Sequence, residues 1–324
     1  MRFLKNLIAD LAKRTNTIKL LSKLKSAKSE QAVILMYHRI GANNDPAFPK
    51  LDDDIFFQQI HWLRDNADVV PLPVLVRELE LGHNIAGKVV LTFDDGYIDF
   101  FTNAFPILHA LQMPATVFVA IEFLNGKIPW HDQIRYVVFH TNLDAVDLRL
   151  NGSVSSLSLS SFEERYRSYN LLKRKLGCLT NGVRQAKLNL LCEQFHLTDL
   201  SPLADSIMTW DHLKLVQKGN IDIGAHSYSH PFLVNLDDKA LQLEVNQTRK
   251  ILQQRLQMKV DNYCYPSGKC TDYDAKTKSF IQQAGFRSAC TSEHGYVQKN
   301  DDPFALKRLF TTEEYLAKFV WRLP

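Results

Sequence analysis

Lys88-Val-Val-Leu-Thr-Phe-Asp-Asp-Gly-Tyr97 reads as an apolar strand that ends in two acids and a glycine. A short apolar run bounded by a turn signal predicts a buried strand, and Gly96 supplies the turn. A helical pattern resumes at Ile98 and runs to Leu111. Two carboxylates held side by side at a strand end repel each other, so they persist best where a cation neutralises them. The competing reading is an Asp-Gly turn in which one acid caps the helix that starts near Ile98.

The same design recurs outward from this stretch. Val33–Tyr37 runs into His38, Ile221–Ala225 into His226, and Tyr263-Cys-Tyr265 into Pro266. Ala115–Ala120 and Arg287–Thr291 are further strand-like runs. Helical patterns over Ile55–Arg64, Leu236–Met258 and Asp274–Ala284 lie between them. Alternating strands and helices predict an α/β domain with parallel strands, either an open sheet or a barrel. Both architectures bind ligands at the carboxyl ends of their strands, where these polar residues sit.

His226 and His230, in Gly224-Ala-His-Ser-Tyr-Ser-His-Pro-Phe-Leu233, sharpen the meaning of the acids. Imidazoles four residues apart converge on one side of a turn and can share a metal. Two histidines and one carboxylate leave coordination positions free, as catalysis requires. The second carboxylate is then a natural general base.

The 324 residues can bury a sizeable core, and 45% hydrophobic with 23% charged residues is ordinary for a globular chain. Residues 1–30 carry eight basic side chains against Asp10 and Glu30, a balance of +6; the whole chain carries +4, which leaves −2 for the remainder. The body is therefore no nucleic-acid-binding surface. Phe3, Leu4, Leu7, Ile8 and Leu11 predict a basic amphipathic N-terminal helix. It would either rest on an anionic membrane surface or pack on the protein's own body. Asp10, Lys13 and Arg14 interrupt the run too early for a signal peptide. With five cysteines and no C-x-x-C pair, the expectation is reduced thiols in a cytoplasmic protein. Residues 141–207, with the serine-rich stretch Ser153–Ser161 followed by a charged helical region, break the strand–helix rhythm and predict an insertion.

Thr92-Phe-Asp-Asp-Gly96 and His226-Ser-Tyr-Ser-His230-Pro together resemble the two signature motifs of the polysaccharide deacetylases, the NodB-homology group of carbohydrate esterase family four. The resemblance covers roughly residues 31–310. It implies a distorted (β/α)7-type barrel carrying the helical insertion, and metal-dependent removal of N-acetyl groups from amino sugars of a polysaccharide or lipid-linked glycan. It implies Asp94 as catalytic base, and Asp95, His226 and His230 as ligands of a divalent metal, most often zinc. Tyr263-Cys-Tyr-Pro-Ser-Gly268 is similar to a variant of the family's third motif, with Cys264 where an arginine would tether the base. That arginine is expected to be missing. The family's C-terminal Leu-x-His is also not found; Arg308 and Thr311 stand beyond the expected last strand. Met36-Tyr-His-Arg-Ile40 resembles an N-terminal segment of the biofilm-polysaccharide deacetylases, which implies His38 as general acid; His131 and His294 are the rival candidates. Trp130, Asp132, Tyr265, Pro266 and Ser267 are the expected substrate-binding residues. Hydrolysis of another amide or ester, and glycan binding without catalysis, remain the alternative functions.

Overall fold

The computed structural model describes residues 31–42, 45–149, 154–311 and 316–324. The expected amphipathic helix over residues 1–30 lies outside the described residues. Strands follow in the order β1 (Val33–Tyr37), β2 (Asp68–Val69), β3 (Lys88–Phe93), β4 (Ala115–Val119), β5 (Ala145–Arg149), β6 (Val154–Ser158), β7 (Ile221–Ala225), β8 (Asn262–Cys264), β9 (Ser288–His294) and β10 (Leu306–Phe310).

Seven of these form a ring of parallel strands, β1-β10-β9-β8-β7-β4-β3, closed where β3 pairs back onto β1 from Val33↔Val89 to Tyr37↔Phe93. Closure removes the unpaired edges that an open sheet exposes. Within this sheet β2 stands outside the ring, as a two-residue addition to β3, and β5 and β6 pair apart from it. The barrel is thus the architecture formed, and the open sheet is not. β1, β3 and β4 are apolar almost throughout because a parallel strand in a barrel is covered on both faces.

One face of the strands, including Ile34, Val90, Phe118, Cys264, Cys290 and Leu306, clusters with apolar residues of the helix Leu72–Glu80. The other face, including Leu35, Leu91, Val117 and Ile223, packs against the surrounding helices. Gly224 lies where a Cβ would fall 2.3 Å from the Phe118 ring, so a side chain there would displace the aromatic.

The expected sheet ended at Arg287–Thr291, but β10 is a further strand, and it closes the barrel between β9 and β1. Its sequence, Leu-Lys-Arg-Leu-Phe, hides it, since two adjacent cations do not suggest a core strand. Arg308 therefore lies within a barrel strand, not beyond one.

The expected insertion folds as an antiparallel hairpin of β5 and β6 followed by the helices Phe162–Gly177 and Asn181–Gln194. Ser161 caps the first of these helices in a capping box with Glu164. Val146, Leu148, Tyr169, Leu172, Leu188 and Leu191 join residues of the helix Trp130–His140 in an apolar cluster separate from the barrel core. Among the described residues no helix is long and apolar enough to cross a membrane.

Candidate active site

β1, β3, β7 and β8 deliver His38, Asp94–Asp95, His226 and Tyr265–Ser267 to the same end of the barrel. The connecting loops are unusual in their backbone. Asp95, Ser227, His230 and Ser267 all have positive φ, at 69°, 67°, 59° and 61°. Left-handed conformations are disfavoured for residues with a Cβ, and such strain concentrates at functional sites. Gly96 follows Asp95 at φ 74°, and a Cβ there would lie 3.0 Å from Val119. The two acids consequently leave the strand in different directions.

Asp94 turns to an arginine. Arg308 donates from Nη1 to Asp94 Oδ1 at 2.8 Å and from Nη2 to Oδ2 at 2.7 Å, a two-pronged ion pair with both residues buried. The guanidinium also donates to the Thr291 carbonyl, Thr92 Oγ1 and Cys264 Sγ. The expectation of a missing tether is thus corrected: the arginine is present, but it arrives from β10, and the small Cys264 thiol sits at 3.1 Å from its Nη2. Burial opposes the charge on Asp94, but the Arg308 guanidinium outweighs it and holds the carboxyl below the ordinary carboxylate range.

Asp95 turns the other way, to the histidines. Its Oδ1 lies 3.5 Å from His226 Nε2 and 3.2 Å from His230 Nε2, and those nitrogens are 3.2 Å apart. Ligands of one tetrahedral zinc at the usual bond lengths sit roughly 3.3 Å from each other. His226 Nδ1 donates to the Cys264 carbonyl at 2.8 Å, which leaves Nε2 to face the carboxylate. Asp95 Oδ1 is buried without a hydrogen-bond partner. Burial draws His230 down to about 4, so its imidazole is neutral near pH 7. Three convergent donors, one of them an orphaned carboxylate oxygen, fit a divalent cation.

His38 Nε2 lies 3.8 Å from Asp94 Oδ2, with its side chain 35% exposed, the most open of these groups. Desolvation lowers its imidazole below the ordinary value, against the pull of Asp94 and Asp95. Phe310, at the end of β10, packs against this ring.

His131 lies in the same pocket, 3.9 Å from Asp95 Oδ2. Tyr97 donates its hydroxyl to Asp132 Oδ2 at 2.9 Å and sits 3.2 Å from His131 Nε2. Burial pushes Asp132 up to about 6. His294 closes β9 and pairs with Arg308 in strand register.

The expected sugar platform is not where the sequence placed it. Trp130 is 3% exposed, donates its indole N–H to the His230 carbonyl at 2.9 Å and lies under the Arg184 guanidinium. It supports the histidine loop from behind, and its ring is not free to face a ligand. Asp132, Tyr265 and Pro266 are buried as well; the Tyr265 hydroxyl donates to the Phe304 carbonyl. Ser267 alone of the five is partly open. Besides Arg308, two other residues escaped the sequence reading. Glu244 Oε2 accepts from the Tyr228 and Ser229 amides at 2.9 and 2.8 Å, and Arg184 Nη2 donates to the Ser229 carbonyl at 2.9 Å. Both sit in charged helical stretches that look solvent-facing in sequence.

The family profile described as polysaccharide deacetylase matches residues 82–136 and 192–289. Over 291 residues the chain is 21% identical to Bacillus subtilis (strain 168) YxkH, provisionally named a polysaccharide deacetylase; the match spans 88% of this chain and 73% of that protein. A 77-residue segment is 40% identical to the poly-β-1,6-N-acetyl-D-glucosamine N-deacetylase of Escherichia coli (strain K12), covering 22% of this chain and 11% of that one. Among solved structures, the Streptococcus pyogenes deacetylase PplD in complex with acetate superposes with a TM-score of 0.60 at 17% identity, over 90% of this chain and 97% of its own. IcaB from Ammonifex degensii gives 0.56 at 17% identity, with the same coverage of 90% and 97%. At such identities the likeness to solved structures is one of fold.

Proposed function

We propose, from the premise that the chain belongs to the polysaccharide deacetylase family, that it hydrolyses N-acetyl groups from the amino sugars of a polysaccharide or lipid-linked glycan. The observation that carries this reading is the division of labour between adjacent acids: Asp94 in the fork of Arg308, Asp95 among two imidazoles. A divalent ion held by Asp95, His226 and His230, zinc by the chemistry of the donor set, would supply Lewis acidity to the acetyl carbonyl and to water. Asp94 takes the proton of the attacking water as general base. Arg308 keeps that carboxylate ionised and fixes its plane. A backbone N–H near Ser267 is the donor proposed for the developing oxyanion. The proton taken up by Asp94 passes to His38, 3.8 Å away, and the imidazolium so formed protonates the departing nitrogen as general acid. The products are acetate and a free amine.

Acetate release from N-acetylglucosamine oligomers and from an O-acetylated ester, each with and without a chelator, tests the assignment. Chelator-sensitive release from the oligomers is expected. Release from the ester alone would replace an N-deacetylase by an esterase, and chelator-resistant turnover would remove the metal. Contact with a membrane surface through residues 1–30 belongs to the same proposal. If a chain lacking them bound anionic vesicles as well as the full chain, that part would fall.

A further inference from the structure

The loop that carries both histidines is held from the inserted lobe. Arg184, in the helix Asn181–Gln194, is 1% exposed. Its Nη2 donates to the Ser229 carbonyl at 2.9 Å and to Ser229 Oγ at 3.0 Å. Its guanidinium lies 5.0 Å from the centre of the Trp130 ring, whose indole N–H in turn donates to the His230 carbonyl. Ser229 Oγ passes its own hydrogen to Glu244 Oε1 at 2.6 Å, so one hydroxyl joins a buried cation to a buried carboxylate. A second anchor lies beyond His230, where the Phe232 amide donates to the carbonyl of Gly177, in the helix Phe162–Gly177. The two anchors bracket His230, whose φ of 59° the loop does not adopt freely. The family profile is interrupted between residues 136 and 192, so Arg184 and Gly177 lie outside what the family match covers.

We propose that Arg184 is a positioning residue for the metal-ligand loop, and that the inserted lobe is in this way a working part of the metal centre. The inference rests on the metal-binding reading of Asp95, His226 and His230. A guanidinium reaches a carbonyl, a hydroxyl and an aromatic face at once, which a lysine ammonium cannot. Loss of the two Nη2 hydrogen bonds releases the Ser229 carbonyl, the half of the peptide that leads into His230, and with it the direction of His230 Nε2. Partners that orient metal ligands typically change metal affinity by roughly 10- to 100-fold.

The test is zinc affinity of the full chain, stripped with a chelator and titrated against a chromophoric zinc competitor. Arg184→Met is expected to weaken zinc binding at least tenfold while circular dichroism stays native. Arg184→Lys is expected to lose less, and methylguanidinium to restore affinity to Arg184→Ala, a rescue that generic loss of packing would not show. Should Arg184→Met fail to fold, Arg184→Lys carries the test, and wild-type affinity in it overturns the role. Wild-type affinity in a folded Arg184→Met does the same. If the wild-type protein takes up no zinc, or His230→Ala binds it as tightly as the wild type, the metal reading fails and this role with it.

Discussion

Asp94 and Asp95 are joined by one peptide bond, yet they occupy opposite electrostatic surroundings. Asp94 is complete within the protein: a buried cation meets both of its oxygens, and its charge is settled before any ligand arrives. Asp95 is incomplete: it faces two imidazole nitrogens, and one of its oxygens has no donor. The first arrangement fixes a base in place, and the second creates affinity for a cation. The left-handed Asp95 backbone keeps the two apart. A half-buried acid on β7, Asp222, has neither kind of compensation; Asn262 Nδ2 donates to it at 3.0 Å, and desolvation pushes it up to about 6.

This contrast can be broken at each acid. Asp94→Asn preserves shape but removes the base, and acetate release is expected to fall by about 10³-fold, within the range for general-base loss. Arg308→Met leaves Asp94 buried and unpaired, so urea unfolding is expected to show a loss of about 3–5 kcal/mol. The Asp94 carboxyl lies below its unfolded value, so its contribution is present at neutral pH and fades only as acid titrates the folded group. Asp95→Asn is expected to behave differently. Stability of the metal-free protein should change by less than about 1 kcal/mol, whereas the stabilisation by zinc at a hundredfold excess over Kd, about 2.7 kcal/mol in the wild type, should vanish. Thermal melts with and without zinc measure this. His38→Ala is expected to cost about 10²-fold in turnover and to leave zinc affinity unchanged; an unaltered rate would shift the acid role to His131.

Asp222→Asn should give the smallest effect. Between the unfolded value of 3.8 and about 6, the folded chain holds a proton that the unfolded chain has lost, so stability falls as pH rises through that window. Removing the titration should flatten this slope and add about 2 kcal/mol above pH 6, read from melts across pH.

What could be read in advance follows from physical range. Strands β1, β3, β4 and β7 were visible as local apolar runs, and Asp95, His226 and His230 as short spacings that put donors on one face. Arg308 was not, because its partner lies 214 positions away and nothing local distinguishes a buried arginine from a surface one. Arg184 and Glu244 were hidden in the same way, their charge satisfied by loop peptides that only tertiary packing brings near. Trp130 misled in the opposite sense. An aromatic beside Asp132 suggests a sugar surface, but its ring fills the joint between inserted lobe and histidine loop.

The reach of Arg308 also sets the order of assembly. The fork that neutralises Asp94 comes from β10, which joins the barrel by pairing with β1, Leu35 opposite Leu309. On a ribosome, therefore, the nascent chain carries an uncompensated acid until β10, whose Arg308 lies 214 positions after Asp94, has been made. Barrel closure and arming of the base are one event, and a chain that stops short of the final strand forfeits both.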